Sequence, residues 1–171
     1  MARKTQQVEV RLVAEYLKDH YSKFPFTQNQ PLGLVSEELL RTEGYVKGLG
    51  MQRPSRPAVD AVVFQPNRLI LVEGKVWHIV DGMAKLPLYK SLIPTTPELK
   101  QYRELPVVME LVVPWSNSNL VTMCAAAGIQ LSIYKPAWID EVVARVQNYG
   151  TRDYRLAREE KLKNRAALGL D

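Results

Sequence analysis

Cysteine is almost absent from the sequence, and this excludes two kinds of structural support. The single cysteine, Cys124, cannot form a disulfide within the chain, and no group of cysteine and histidine residues has the spacing of zinc ligands. Its surroundings, NLVTMCAAAGIQ, are apolar, so we expect Cys124 to be a small residue of the core.

Long hydrophobic runs and targeting features are missing as well. No apolar run is long enough to cross a bilayer. The N-terminal residues MARKTQQVEV contain neither the apolar segment nor the cleavage site of a signal peptide. No segment repeats, and none is of low complexity. We therefore expect a cytoplasmic protein that uses no membrane, or a virion-associated one if the chain is of phage origin.

The composition is that of a globular protein with an excess of basic residues. The 171 residues are 46% hydrophobic and 24% charged, which suits one domain with a sizeable core. The net charge of +5 at pH 7 favours an anionic partner such as nucleic acid. We expect a domain over residues 1–150 and a charged helical tail over residues 151–171, where acids and bases are interspersed as in a solvated helix.

Helical and strand patterns alternate along the first part of the chain. Apolar residues at helical spacing predict a helix in QQVEVRLVAEYLKDHYSK, which ends before Pro25. An edge strand is expected in FPFTQNQPLGL, because its prolines are unsuited to a central strand. Ser36 and Gly44 suit the N-cap and C-cap of a helix in SEELLRTEG. The glycine-rich, basic segment YVKGLGMQRPSRP is predicted to be a loop.

The remaining patterns predict a layered fold. Strands in PAVDAVVF and NRLILVEGKVWHIV flank QPNR, which predicts a hairpin with a type I turn. DGMAKLPLYKSLI predicts a helix that begins at about Lys85, because Pro87 is tolerated best in a first turn. A strand in ELPVVMELVVPW, a helix, Gly128, a strand and a helix in AWIDEVVARVQNYG follow. We expect an α/β fold with a mixed sheet covered on both faces.

The predicted hairpin gathers three charged residues into one cluster. With Pro66 and Asn67 at the tip, counting down the two strands sets Asp60 opposite Glu73, on one face of the sheet. Lys75 follows Glu73 by two residues and therefore shares that face. Two carboxylates at this separation repel each other and are costly to desolvate, so the cluster calls for an explanation.

Two explanations fit these residues. In the first, Lys75 forms a salt bridge with Glu73 at a wet edge of the sheet. In the second, Asp60 and Glu73 hold a divalent cation, because Mg²⁺ takes one or two carboxylates together with waters and substrate phosphates. Lys75 would then orient or help to deprotonate the attacking water, or stabilise developing negative charge.

The arrangement resembles the PD-(D/E)xK nuclease superfamily. The matching residues are Asp60 in RPAVD and Glu73 and Lys75 in VEGK, and the family's order of helix, three strands, helix and strand matches roughly residues 6 to 114. The resemblance implies a restriction-endonuclease-like, three-layer α/β/α core with a mixed central sheet. It also implies hydrolysis of DNA with Mg²⁺ or Mn²⁺ as cofactor. The family's proline usually precedes the first acid directly, whereas Pro57 lies three residues before Asp60.

The resemblance also suggests accessory residues. Members often have a glutamate on the first helix, and of Glu9 and Glu15 we prefer Glu15, because it lies nearer the helix end that leads into the sheet. Many members have a polar residue and a tyrosine four apart on the helix after the lysine, and Lys85 and Tyr89 have this spacing. For each of these residues a structural role, as a solvated charge or a core tyrosine, remains open.

Basic residues in the loop before Asp60 are candidates for contact with nucleic acid. Lys47, Arg53 and Arg56 could neutralise phosphates near the metal, although a solvated loop would have the same composition. The sequence thus predicts a metal-dependent deoxyribonuclease. The alternatives are a nuclease-fold structural or DNA-binding subunit of a larger assembly, such as a phage head or neck or a DNA-processing complex, and an α/β domain with a surface salt bridge. Other protein subunits, or further copies of this chain, are compatible partners.

Overall fold

The computed structural model describes residues 2–146 together with 156, 158–160 and 162–164. The chain forms two compact units, Met1–Lys135 and Pro136–Asp171. In the second unit, helix α6 spans Ile139–Val146, within the segment where a helix is predicted. The predicted boundary at residue 150 and most of the predicted tail lie outside the described residues, so that division stays a prediction.

The first unit contains five strands and five α-helices in the described residues. Short 3₁₀ segments lie at Arg53–Ser55, Ile93–Thr95 and Pro97–Tyr102. The elements follow one another as α1 (Ala2–Tyr21), β1 (Phe26–Pro31), α2 (Glu37–Glu43), α3 (Tyr45–Gln52), β2 (Ala58–Gln65), β3 (Arg68–Gly74), α4 (Ile79–Leu92), β4 (Val107–Val113), α5 (Ser118–Ala126) and β5 (Ile129–Ile133).

The strands form one mixed sheet in the order β1-β2-β3-β4-β5. The pairs β1–β2 and β2–β3 are antiparallel, whereas β3–β4 and β4–β5 are parallel and are connected through α4 and α5. The protein is therefore an α/β protein with a five-stranded mixed sheet packed against helices. Strand β3 is central, and β1 is the edge strand that its prolines predict.

The hairpin has the predicted register. Gln65 pairs with Arg68, Phe64 with Leu69, and the pairing continues to Ala61 and Val72. The next position along the two strands brings Asp60 level with Glu73. A two-residue connection leaves little freedom of register, which is why this part of the fold follows from the sequence.

Side chains of β3 alternate between two hydrophobic clusters, as a strand period of two requires. Leu69 and Leu71 belong to the first cluster, and Ile70 and Val72 to the second. Cys124 is a buried member of the first cluster, as predicted. The first cluster also contains Met83, Leu86 and Tyr89 from α4, and the second contains Val13, Tyr16 and Leu17 from α1.

Two predicted boundaries are wrong around β3. The strand ends at Gly74 rather than at Val80, and α4 begins at Ile79 rather than at about Lys85. Pro87 therefore lies inside the helix, where it removes one backbone hydrogen bond. Buried residues on both sides of the proline offset that cost, because Met83, Leu86 and Tyr89 all pack into the core.

The segment predicted to be a glycine-rich loop contains helix α3. Gly48 of this helix approaches α2 so closely that an added Cβ would lie 3.0 Å from Leu40 Cδ2, so packing between the two helices offsets the low helix propensity of glycine. Helix α2 agrees with the prediction: Ser36 Oγ accepts a hydrogen bond from Leu39 N–H (3.3 Å), and Gly44 ends the helix at φ 80°. In the described residues, no helix has the length and apolar character to cross a membrane.

Candidate functional site

Three carboxylates surround one amine at the end of the central strand. Lys75 Nζ lies 3.0 Å from Glu73 Oε1, 3.4 Å from Glu9 Oε2 and 4.0 Å from Asp60 Oδ2. Glu73 and Lys75 are buried, with 2% and 8% exposure. The pair predicted from the hairpin is therefore brought together with Lys75, and Glu9 of α1 completes the cluster.

Backbone hydrogen bonds fix the two hairpin residues of the cluster. Gly74 N–H donates to Asp60 Oδ2 at 2.9 Å, which ties the acid of β2 to the end of β3. Lys75 N–H donates to the carbonyl of Val112 on β4 at 2.9 Å, and Lys75 Nζ donates to the carbonyl of Gly74 at 3.0 Å. The Lys75 side chain is thus held at both its backbone and its charged end.

Glu9 binds the turn that follows Lys75. Its Oε1 accepts hydrogen bonds from the backbone N–H groups of Val76 (3.1 Å) and Trp77 (3.4 Å), while Oε2 faces Lys75.

Glu15, the preferred residue in the sequence prediction, instead pairs with Arg11 at 2.9 Å on the same helix. The preference is corrected because Val13 is the residue of α1 packed closest to Gly74, and Glu9, four residues earlier, shares its helix face, whereas Glu15, two residues later, does not.

Two glycines let helices approach the site closely. A Cβ on Gly74 would lie 2.3 Å from Val13 Cγ2 of α1, and a Cβ on Gly82 would lie 2.7 Å from Lys75 Cγ. Such separations are shorter than van der Waals contact. Both positions therefore require glycine if the two helices are to keep their places beside the site. The chemistry-bearing side chains are consequently enclosed by α1 on one side and α4 on the other.

Burial and mutual repulsion change the protonation of the acids. Burial, followed by the charge of Asp60, raises the pKa of Glu73 to about 7. Burial also raises the pKa of Asp60, against the opposing effect of Lys75. For Lys75, burial lowers the pKa, but the carboxylates of Glu73, Asp60 and Glu9 together outweigh it, so that the pKa rises above its usual value. The amine is therefore an ammonium ion at neutral pH.

A cavity of about 630 Å³ opens above the cluster. Its walls come from α1, β1 and α4, and the acids and Lys75 contribute to its lining. Lys85 and Tyr89, which the resemblance to the nuclease superfamily suggests, line it together. Burial, with the charges of Glu73 and Asp60, raises the pKa of Tyr89 to about 12, so its hydroxyl keeps its proton.

The donor set fits a divalent cation. Glu73 Oε2 is buried and has no hydrogen-bond partner, which is costly for a carboxylate oxygen unless a cation binds it. Within the described part of the chain, no three His, Cys, Asp or Glu side chains form a metal-binding group. A pair of carboxylates is sufficient for Mg²⁺, which keeps several waters. The salt-bridge explanation assumes that the cluster lies at an edge of the sheet. This is not so, because β3 is the central strand.

The basic residues predicted to contact nucleic acid have different surroundings. Arg56 is buried, and its guanidinium binds Glu98 at 2.6 and 2.8 Å and the carbonyls of residues 31–33. The prediction that it contacts nucleic acid is therefore corrected, and Arg56 is a structural residue. Lys47 is exposed and forms an ion pair with Glu43 on the neighbouring helix. Arg53 is exposed and donates to the carbonyl of Asn29 at 3.2 Å, which places it next to a residue that lines the cavity.

Sequence reasoning missed three polar residues in the lining of the cavity. Gln6, Gln28 and Asn29 line it, the last two from edge strand β1. The pairs Gln28–Ala61 and Gln30–Val59 flank Asn29, so Asn29 lies level with Asp60, and its φ of 50° is left-handed. No short turn connects β1 to β2, so the sequence contained no signal for this register.

A further carboxylate is buried elsewhere in the sheet but is fully hydrogen-bonded. Glu110 on β4 accepts bonds from the hydroxyls of Tyr16 (2.6 Å) and Tyr21 (2.7 Å), from Ser132 (2.5 Å) and from the Gln130 amide (3.1 Å). Burial and the Glu110 carboxylate raise the pKa of both phenols, so both remain donors. The four donors account for this carboxylate structurally, in contrast to that of Glu73.

Comparison with known proteins adds little to this geometry. No family model matches the chain, and no curated protein matches it. A solved structure, that of protein VC1899 from Vibrio cholerae, is similar over 55% of this chain, at 20% identity and a TM-score of 0.33. The chain spans 23% of the length of that protein. A TM-score this low does not establish a shared fold.

Proposed function

We propose that this protein is a metal-dependent nuclease that hydrolyses phosphodiester bonds in DNA, with Asp60 and Glu73 as ligands of Mg²⁺ or Mn²⁺. The observation that carries the proposal is the buried, unpartnered Oε2 of Glu73, which lies beside a second acid and a lysine in the lining of a cavity. A salt bridge alone accounts for Glu73 Oε1 but leaves this second oxygen unexplained.

The finer identity of the fold belongs to the same proposal. The order α1, β1, β2, β3, α4, β4, with the acids on β2 and β3, supports a restriction-endonuclease-like, three-layer α/β/α core of the PD-(D/E)xK type. Helices α2 and α3 between β1 and β2 would be an insertion into that order. The position of Pro57 remains a departure from the motif.

Each residue of the site has a role that follows from its surroundings. When bound, the metal supplies Lewis-acid activation of the phosphate and of water. Lys75 is protonated at neutral pH, so it acts as a cation that stabilises charge developing on the phosphate rather than as a base. Glu9 positions the turn after Lys75. Lys85 adds positive charge, and the protonated Tyr89 hydroxyl can donate to a phosphate oxygen.

The test is cleavage of linear, circular and branched DNA with Mg²⁺, with Mn²⁺ or with a chelator. We expect metal-dependent cleavage that falls by about 10²–10³-fold or more in Asp60→Asn and in Lys75→Met, because each removes a charge that acts on the transition state. Thermal unfolding in chelator shows whether each variant is folded. The neutral amide of the Asp60→Asn variant keeps an oxygen that can accept from Gly74 N–H.

Lys90→Met is the matched control, because Lys90 is an exposed lysine of the same helix as Lys85 and does not line the cavity. It should cut as the unchanged protein does. Cleavage that survives in Asp60→Asn and Lys75→Met would assign the activity to a contaminant and contradict the proposal. Salt-sensitive binding of DNA without cleavage would instead favour a binding subunit of a larger assembly.

A further inference from the structure

The geometry points to single-stranded DNA, rather than duplex DNA, as the substrate of this site, with Gln6, Gln28 and Asn29 contacting the unpaired nucleotide beside the scissile phosphate. This inference rests on the proposed nuclease function and adds the class of substrate. It starts from the depth of the site: Glu73 and Lys75 are almost fully buried, and both line the cavity through which a substrate phosphate would reach them.

The size of the cavity limits what can enter. Its volume of about 630 Å³ falls within the range of sites that enclose one small ligand, about 300–1,000 Å³. A DNA duplex does not fit into a cavity of this volume, since even its major groove is about 12 Å wide. An unpaired strand can bend one or two nucleotides into such a space, whereas a duplex would first have to be opened.

Three polar side chains of the cavity lining have the chemistry of a nucleotide contact. Gln6, Gln28 and Asn29 are exposed, and each offers a carboxamide that both donates and accepts hydrogen bonds. Base edges present the same mixture of donors and acceptors, but only an unpaired base has its pairing edge available. Asn29 lies level with Asp60 and therefore next to one of the proposed metal ligands.

The backbone of Asn29 supports a functional placement. Its φ of 50° is left-handed, which costs energy for any residue with a side chain, although asparagine tolerates it better than most. The neighbouring residues keep the regular pairing with β2, so the distortion is confined to the position beside Asp60. Arg53, which donates to the Asn29 carbonyl, holds a positive charge at the same rim.

The experiment compares three substrates of one sequence with Mg²⁺: a single strand, a blunt duplex, and a duplex that carries the strand as an unpaired tail. We expect the single strand and the tail to be cut about 100-fold faster than the blunt duplex, because pairing has to be undone first. Cuts in the third substrate should lie in the tail.

Three variants test the contacts separately from the chemistry. Gln6→Ala, Gln28→Ala and Asn29→Gly each remove one carboxamide, and glycine retains the left-handed backbone at position 29. Each should raise KM for the single strand by about 3- to 10-fold with kcat nearly unchanged, as loss of uniform binding requires. Gln7→Ala is the control, because Gln7 is an exposed neighbour on α1 that does not line this cavity.

The outcomes separate this inference from the function on which it rests. A blunt duplex cut as fast as the single strand, with both activities lost in Lys75→Met, would overturn the single-strand preference and leave the nuclease proposal standing. No cleavage of any substrate would overturn both. Unchanged KM in all three carboxamide variants would overturn the assignment of the nucleotide contacts.

Discussion

Glu73 holds a carboxylate in surroundings that favour its neutral form. Burial and the nearby Asp60 raise its pKa from 4.5 to about 7. The folded protein therefore retains a proton that the unfolded chain releases between these values. This linkage stabilises the fold below pH 4.5 and is lost as the pH rises towards 7. The pKa of Asp60 is raised as well, so its contribution has the same sign.

The pH dependence can be measured on metal-free protein. We expect the free energy of unfolding in chelator to fall by about 3 kcal/mol as the pH rises through this window. In Glu73→Gln the fall should be much smaller, because the amide mimics the protonated acid at every pH. Urea denaturation across the pH range measures both, with the exposed Glu104→Gln as control. An equally steep fall in Glu73→Gln would contradict the assignment.

The sequence predicted which side chains lie close together where a short turn sets the register of two strands. A two-residue turn fixes the register of β2 and β3, so the meeting of Asp60, Glu73 and Lys75 follows from counting along the strands. The choice between Glu9 and Glu15 depends on where α1 crosses the sheet, which no turn specifies. The burial of Arg56 depends in the same way on Glu98, which is distant in sequence.

Among the secondary-structure elements, the placement of α4 against β3 controls the shape of the site. Gly82→Ala would put a Cβ 2.7 Å from Lys75 Cγ and 3.1 Å from Leu111 Cδ1. We expect it to lower the free energy of unfolding by about 1–3 kcal/mol, because the core there has no spare space. It should also reduce cleavage by displacing Lys75. Denaturant unfolding and initial rates measure the two effects.

Gly50→Ala is the matched control for this element. Gly50 is exposed in α3, and an added Cβ would have no neighbour within 4 Å. Alanine should stabilise the helix by up to about 1 kcal/mol and leave the cleavage rate unchanged. If Gly82→Ala behaved like Gly50→Ala, the close approach of α4 to Lys75 would not matter for the site.

Predictions of whole elements failed where tertiary packing overrode local signals. Glycines argued against α3, and Pro87 argued for a late start of α4, but α3 forms with Gly48 packed against α2, and α4 forms with its buried residues packed into the core. In contrast, α2 was predicted between the right caps because Ser36 and Gly44 act within one turn. Capping residues thus define the ends of α2, whereas α3 and α4 form because they pack against neighbouring elements.

For the whole molecule, binding of a cation should be coupled to stability. The acids Glu9, Asp60 and Glu73 outnumber Lys75 and Lys85 in the cavity lining, although the protein as a whole has a net charge of +5. We expect saturating Mg²⁺ to raise the free energy of unfolding on the order of 1–3 kcal/mol, since only the folded state brings the ligands together. Thermal unfolding against Mg²⁺ concentration measures the effect.

The double variant Asp60→Asn with Glu73→Gln should show no such rise, while it should be at least as stable as the unchanged protein in chelator at pH 8. The exposed-site variant Glu104→Gln should respond to Mg²⁺ normally. A Mg²⁺ response that persists in the double variant would place the cation elsewhere on the protein.

The hydrogen bonds to Glu110 also affect the site at the other end of α1. Tyr16 and Tyr21 anchor this helix to β4 through bonds that have a direction and a fixed length, whereas apolar packing tolerates sliding. A rotation or shift of α1 by one residue would break both bonds and remove the donor that Tyr21 supplies to Glu110 Oε2. The helix therefore has one position on the sheet. The position of Glu9 beside Lys75 consequently depends on hydrogen bonds that lie two to three turns further along α1.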